Sequence, residues 1–67
     1  MTYVVIEIQR AENGTVATLV TQFSNYAQAE AKFHTVMAAA AVSALRGHGC
    51  IIMTDHAEVV RNEMYNR

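Results

Sequence analysis

The chain opens with two stretches dense in β-branched residues, TYVVIEIQ and GTVATLVTQF, separated by a polar break at Glu12 and Asn13. Both read as strands, because branched side chains pack well on a pleated surface. Asn13-Gly14 between them is a strong hairpin signal, since a type I′ turn needs positive φ at both central residues. A two-residue turn there predicts a register in which Glu12 faces Thr15, Ile8 faces Leu19, Ile6 faces Thr21 and Val4 faces Phe23. One face of the ribbon is then Val4, Ile6, Ile8, Ala17, Leu19 and Phe23, the expected core face. The opposite face, with Tyr3, Val5, Glu7, Gln9, Val16, Thr18, Val20 and Gln22, is mixed.

A helical period takes over after Asn25, which stands three residues before Gln28 in the spacing of a capping box, with Ser24 as a competing cap. The pattern predicts a helix running to Leu45 or Arg46, with Gly47 and Gly49 as its stop. Tyr26, Ala29, Phe33, Val36, Met37, Ala40 and Ala44 share the arc expected to lie on the sheet. A second arc holds Ala27, Ala31, His34, Ala38, Ala41, Val42 and Leu45, so the uncharged surface is wider than one sheet can cover. Small side chains let another backbone approach closely. Ala31, Ala38, Ala41, Val42 and Leu45 are therefore the expected contact with another copy of the chain. Alanine is also the best helix former and tolerates exposure, so a bare solvent-facing arc is the competing reading.

CIIMT reads as a third strand, with Cys50 and Ile52 on one side, Ile51 and Met53 on the other, and both faces covered. The last stretch, DHAEVVRNEMYNR, is two-sided. Asp55 and Glu58 have capping-box spacing, which favours a helix, whereas Val59, Val60 and Tyr65 after a turn at Asp55-His56-Ala57 favour a fourth strand. The strand reading gives an α+β fold of order β-β-α-β-β. Its sheet is antiparallel in the order 2-1-3-4, with one helix packed on one face, as a single domain over residues 1–67.

Composition sharpens this. At 67 residues the chain buries only about 60% of its unfolded surface, which leaves a core marginal without staples. Its single cysteine offers no internal disulfide, so self-association is the expected source of extra burial. The apolar fraction of 52% against 16% charged residues argues against disorder. A formal net charge of −1, with Arg10, Lys32, Arg46, Arg61 and Arg67 scattered along the sequence, disfavours nucleic acid or an anionic membrane as partner. The N-terminal stretch lacks a basic lead and is interrupted by Glu7, and the free cysteine suits a reducing compartment. The expected location is therefore cytoplasmic.

Candidate chemistry is sparse. No phosphate loop, nucleophile elbow or paired-histidine motif occurs, so no enzyme activity and no cofactor is expected. His48 and Cys50 share a face if both lie on one strand, and His56 could return near them across a hairpin. That makes a loose trio, and unrelated loop histidines are the plainer reading. Cys50 reads as a small core residue before it reads as a nucleophile. His34 stands one turn after Glu30, which reads first as a weak surface pair and second as a polar contact at a dimer seam.

The run YVVIEIQ…NGTVATLV…AEAKFHTVMAAAAVS…IIMT, from Tyr3 to Thr54, resembles a group of small uncharacterised proteins of gut clostridia-like bacteria and their prophages. The resemblance is most specific in the helix, is weakest over the last dozen residues, and brings no known activity. What it implies is a phage or mobile-element setting, where small oligomeric proteins serve as accessory, assembly or counter-defence factors. The expectation is thus a non-enzymatic homo-oligomeric binding protein. One version would sequester a small anionic, nucleotide-type signalling ligand, using Arg46, His34, His48, Arg61 and the rings of Tyr3, Tyr26 or Tyr65, since anions need donors and bases need a stacking plane. The alternative is a protein–protein adaptor or assembly module working through the mixed sheet face, with Val5 and Val20 at its centre.

Overall fold

A computed structural model describes all residues 1–67. Strands β1 (Tyr3–Arg10), β2 (Val16–Phe23), β3 (Gly47–Thr54) and β4 (Val59–Asn66) form one antiparallel sheet in the order β2-β1-β3-β4. The single helix, α1 (Tyr26–Ala41), lies on one face. This is the α+β architecture and strand order the pattern predicts, and the last segment is a strand rather than a helix.

The register of the first hairpin is one residue away from expectation. Ile8 pairs with Thr18, Ile6 with Val20 and Tyr3 with Phe23. Asn13 does not take the positive φ that a type I′ turn demands; Gly14 alone does, at 90°. The connection is a three-residue loop, Glu12-Asn13-Gly14. Gly14 N donates to Ala11 O at 3.0 Å, and Ala11 N donates to Thr15 O at 2.8 Å. The Asn13 side chain accepts from Thr15 N at 3.0 Å, which holds the loop in this form.

A one-residue slip turns one strand over relative to its neighbour. Tyr3, Val5, Glu7 and Gln9 therefore lie on the helix side, alongside Ala17, Leu19, Thr21 and Phe23. Val4, Ile6 and Ile8, expected in the core, point to the uncovered side instead. Val5, expected on the mixed outer face, is 1% exposed at the centre of the core. Leu19 is on the helix side but stays exposed, because α1 sits over β1 and β3 and leaves β2 at its flank.

The core joins Val5, Cys50 and Ile52 from the sheet to Ala29, Phe33, Val36, Met37 and Ala40 from the helix. Tyr26, half-buried, packs against this cluster and sets its ring 5.3 Å from that of Tyr3. Alanine at positions 29 and 40 lets the helix axis come down onto the strands. Asn25 caps the helix, its side chain accepting from Gln28 N at 3.3 Å.

The C-terminus of α1 comes four residues before Leu45. Val42 N and Ser43 N turn back to the carbonyls of Ala39 and Ala40, and the Arg67 guanidinium donates to Ala40 O and Ala41 O, both at 3.0 Å. A cation reaching in from the last strand therefore does the work expected of a glycine stop, and it suits the negative end of the helix dipole. Ala44 lies beyond the helix and is exposed, not on the sheet.

Gly47 and Gly49 belong to β3, which starts three residues earlier than Cys50. The Met64 side chain lies across both glycines, and a Cβ on Gly47 would come within 2.7 Å of Met64 Cε. Ile51 and Met53, expected under cover, are half-buried on the outer side of the sheet, where this chain places no second layer.

Candidate functional site

The inner face of the sheet carries a polar row where a core would ordinarily be apolar. Glu7 on β1 stands beside Cys50 on β3, and Gln9 stands beside His48. Glu7 Oε2 accepts from His48 Nε2 at 2.7 Å and from Gln9 Nε2 at 3.0 Å. The side chains of His48 and Glu7 are only 7% and 14% exposed. Burial pushes the Glu7 carboxyl upward, but the hydrogen bonds from His48 and Gln9, with the charges of His48 and Lys32, outweigh it. They hold the group below its ordinary value of 4.5. An ionised Glu7 only accepts, so the proton of this contact sits on His48 Nε2. His48 Nδ1 is buried with no protein partner.

An acid, an imidazole and a thiol thus lie on one surface, yet they do not make a nucleophilic set. Burial and the neighbouring Glu7 charge push the Cys50 thiol up to about 11, so it carries its proton at neutral pH. No group of three or more His, Cys, Asp or Glu side chains is placed to hold a metal ion. His56 lies in the Thr54–Glu58 turn at the far end of β3 from His48, exposed and 3.8 Å from Asp55, so the loose trio does not assemble.

The residues expected to form one ligand pocket fall into three places. Tyr3 and Tyr26 meet edge to face where the helix begins. Arg61 lies over the Phe33 ring, 4.6 Å from its centre, and reaches Glu30 at 3.4 Å. Glu30 is therefore engaged by Arg61 rather than by His34, which is exposed and sets its ring edge to face with Phe33.

At the opposite end of the sheet, His48 and Tyr65 do come together, while the Arg46 side chain turns to Glu12 and only its carbonyl meets Arg10 and Arg67 N. His48 pairs with Tyr65 across β3 and β4, and the Arg67 guanidinium stacks over Tyr65 at 5.1 Å. Arg10 joins them, donating to Asn66 Oδ1 at 2.8 Å and to Arg46 O at 3.3 Å. Arginines that are 36 and 57 positions apart from Arg10, at Arg46 and Arg67, thus share one edge, with Glu12 as the single carboxylate paired there.

Of the helical contact arc, Ala31, Ala38 and Ala41 are exposed on α1, Val42 caps the helix at 87% exposure, and Leu45 is half-buried in the following loop. The Glu7–His48 pair is not among the residues expected from sequence, although a signal for it exists. A register with Glu7 inward requires a buried partner, and His48 is the only histidine on a strand.

The outer face has the reverse character. Val4, Ile6, Ile8, Val20, Ile51, Met53 and Met64 all point outward, and Arg10 is the only charged residue among the outward positions of the paired strands. Ile8, Ile51, Asn62 and Met64 border an open depression of about 250 Å³ floored by backbone at Cys50 and Glu63. No helix of the chain is long and apolar enough to cross a membrane. Compared with protein-family models, curated proteins and solved structures, the chain matches none of them.

Proposed function

We propose that this chain is a small non-enzymatic binding module that acts through its surfaces. The observation that carries this reading is the apolar outer sheet face, with Arg10 as its one charge, on which Val20 stands 58% exposed beside half-buried Ile6 and Ile51. Contiguous exposed apolar surface marks a place where another surface docks. The protonated, buried Cys50 and a Glu7 fully engaged by His48 and Gln9 speak in the same direction, since neither is free to act on a substrate. A phage or prophage setting, and with it a counter-defence or assembly role, is what the resemblance over residues 3–54 implies.

A second reading has its own observation. The exposed Arg46 guanidinium and the Arg67 guanidinium over the Tyr65 ring provide donors and a stacking plane at one end of the sheet, the chemistry a small nucleotide-type anion would need. Native mass spectrometry on protein taken gently from its expression host tests both. Protein without added mass fits the module reading. Extra mass that vanishes on denaturation and is lost in Arg46→Ala/Arg67→Ala supports the ligand. Turnover of nucleotide or ester substrates by wild-type protein, lost in Cys50→Ala, would overturn the non-enzymatic reading.

A further inference from the structure

The outer face has properties that select its occupant. Each of the four strands contributes eight residues, and the molecule measures 36 × 20 × 14 Å along its principal axes. At a strand spacing of about 4.8 Å and a rise of about 3.3 Å, the face projects roughly 19 × 26 Å, on the order of 500 Å². Two such faces pressed together remove about 1,000 Å² or more, the lower bound for a specific interface. The single charge on the face, Arg10, lies at its margin and is tied to Asn66 and to the Arg46 carbonyl, so no charge has to enter the centre of the contact.

We infer that the outer sheet face binds a second copy of this chain, sheet against sheet, about a two-fold axis running along the strands. The inference rests on the binding-module reading and names the partner. Shape chooses the axis. Val20, Ile6, Ile51 and Asn62 form one continuous row across the sheet. Rotation about an axis parallel to the strands lays β2 across the partner's β4, and Ile6 across the partner's Ile51. The exposed Val20 then meets the rim of the depression that the partner's Asn62 and Met64 border. Rotation about an axis perpendicular to the strands would instead set Val20 against its own copy and one depression over the other, leaving a void without dispersion contacts. Aligned sheets pack face to face at about 10 Å, the spacing that interleaved Val, Ile and Met side chains fill.

Analytical ultracentrifugation of the wild type between 1 and 200 µM (a range of about two decades chosen to bracket a micromolar dimer) should find twice the chain mass. Val20→Lys should weaken the dimer at least tenfold with an unchanged circular dichroism spectrum, since Val20 is already exposed in the single chain. Ala38→Glu/Ala41→Glu on the helix should leave the dimer intact. Oxidation of Val20→Cys/Asn62→Cys should give a covalent dimer, and Val20→Cys alone should not. A wild-type monomer throughout the range overturns the inference while leaving the binding-module reading to its own test. So does a dimer that the helix substitutions break and Val20→Lys does not. Self-linking of Val20→Cys alone overturns the axis along the strands.

Discussion

The two faces of this sheet divide their side chains unusually, with polar groups sharing the covered face with the core and large apolar groups prominent on the uncovered one. Under the helix lie Glu7, Gln9 and His48, with Arg61 and Glu63 along the β4 flank. On the uncovered side the strands present Val, Ile and Met with one charge, Arg10, at the rim. Hydrophobic burial alone would have put the helix on the opposite face. What tips the balance is that the inner polar groups satisfy one another, while the helix brings Phe33, Val36 and Met37 to a small cluster around Val5 and Ile52. A buried polar group costs little once it is hydrogen-bonded, and much if it is not. The inner face is therefore held by a compact apolar knot plus the Glu7–His48 hydrogen bond, whereas the apolar side chains of the outer face have no covering layer within the single chain.

The sharpest way to break that contrast is to cut the same side chain from adjacent positions on one strand. Ile52 is fully buried, and Ile51 points to the outer side. Ile52→Ala should cost about 4 kcal/mol in urea denaturation at low protein concentration, the range for an aliphatic truncation that leaves a cavity. Ile51→Ala should cost less than half of that under the same conditions. Its cost should grow with protein concentration if a second copy covers the outer face, because dimerisation then adds to stability. Equal losses at low concentration would mean that the two faces are not as different as their surroundings suggest.

Loss of the Glu7–His48 hydrogen bond should have the next largest effect. His48→Ala leaves Glu7 with Gln9 as its remaining partner in a mostly buried site, and should destabilise by about 2–3 kcal/mol. Glu7→Gln keeps the shape and loses the charge, at about 1–2 kcal/mol. The pair also has a pH signature. Because the folded state holds the Glu7 carboxyl below its ordinary 4.5, the unfolded chain takes up the proton first on acidification. The contribution of Glu7 is thus complete above pH 4.5 and is lost as pH falls through the lower folded value. Urea titrations from pH 7 to pH 3 should show this decline in the wild type and a shallower one in Glu7→Gln. Parallel curves would mean that the Glu7–His48 contact contributes nothing to folding.

The strands β1 to β3 and the helix start at Asn25 were legible in the sequence because each depends on local patterns. Strand β4 was legible only as one of two readings, and the strand order came from connection rules rather than from any local signal. Which face the helix covers was not legible. In β1 both alternating sets contain large apolar side chains, Val4, Ile6 and Ile8 against Tyr3 and Val5, so alternation does not decide between them. Glu7 then argues for the wrong side, because its partner His48 is 41 residues away and becomes visible only once β3 starts at Gly47. Asn13-Gly14 misleads in the same way, since Gly14 can also serve as the positive-φ residue ending a three-residue loop. The meeting of the arginines was hidden for a simpler reason: the fold brings together the end of β1 at Arg10, the α1–β3 connection at Arg46 and the residue after β4, Arg67.

The smallest expected effect concerns how the two hairpins hold the registers that separate the faces. Both use the same three-residue loop. Ala57 N donates to Thr54 O at 3.0 Å and Thr54 N to Glu58 O at 2.8 Å, matching the bonds around Ala11 and Thr15. The first loop ends on glycine with φ 90°, and the second on Ala57 with φ 64°. An L side chain in this left-handed region costs about 1–2 kcal/mol, and glycine recovers that strain at an unfolded-state entropy cost of about 0.5–1 kcal/mol. Ala57→Gly should therefore stabilise by about 0.5–1 kcal/mol, and Gly14→Ala should destabilise by a similar amount, since a Cβ there meets no atom within 4 Å and only φ resists it. Thermal melts read both, and the sign of the pair is decisive. If Ala57→Gly instead lowers stability, the strain is already relieved by the Thr54 hydroxyl, which accepts from His56 N and Glu58 N, and the second hairpin is held by that side chain rather than by its backbone turn.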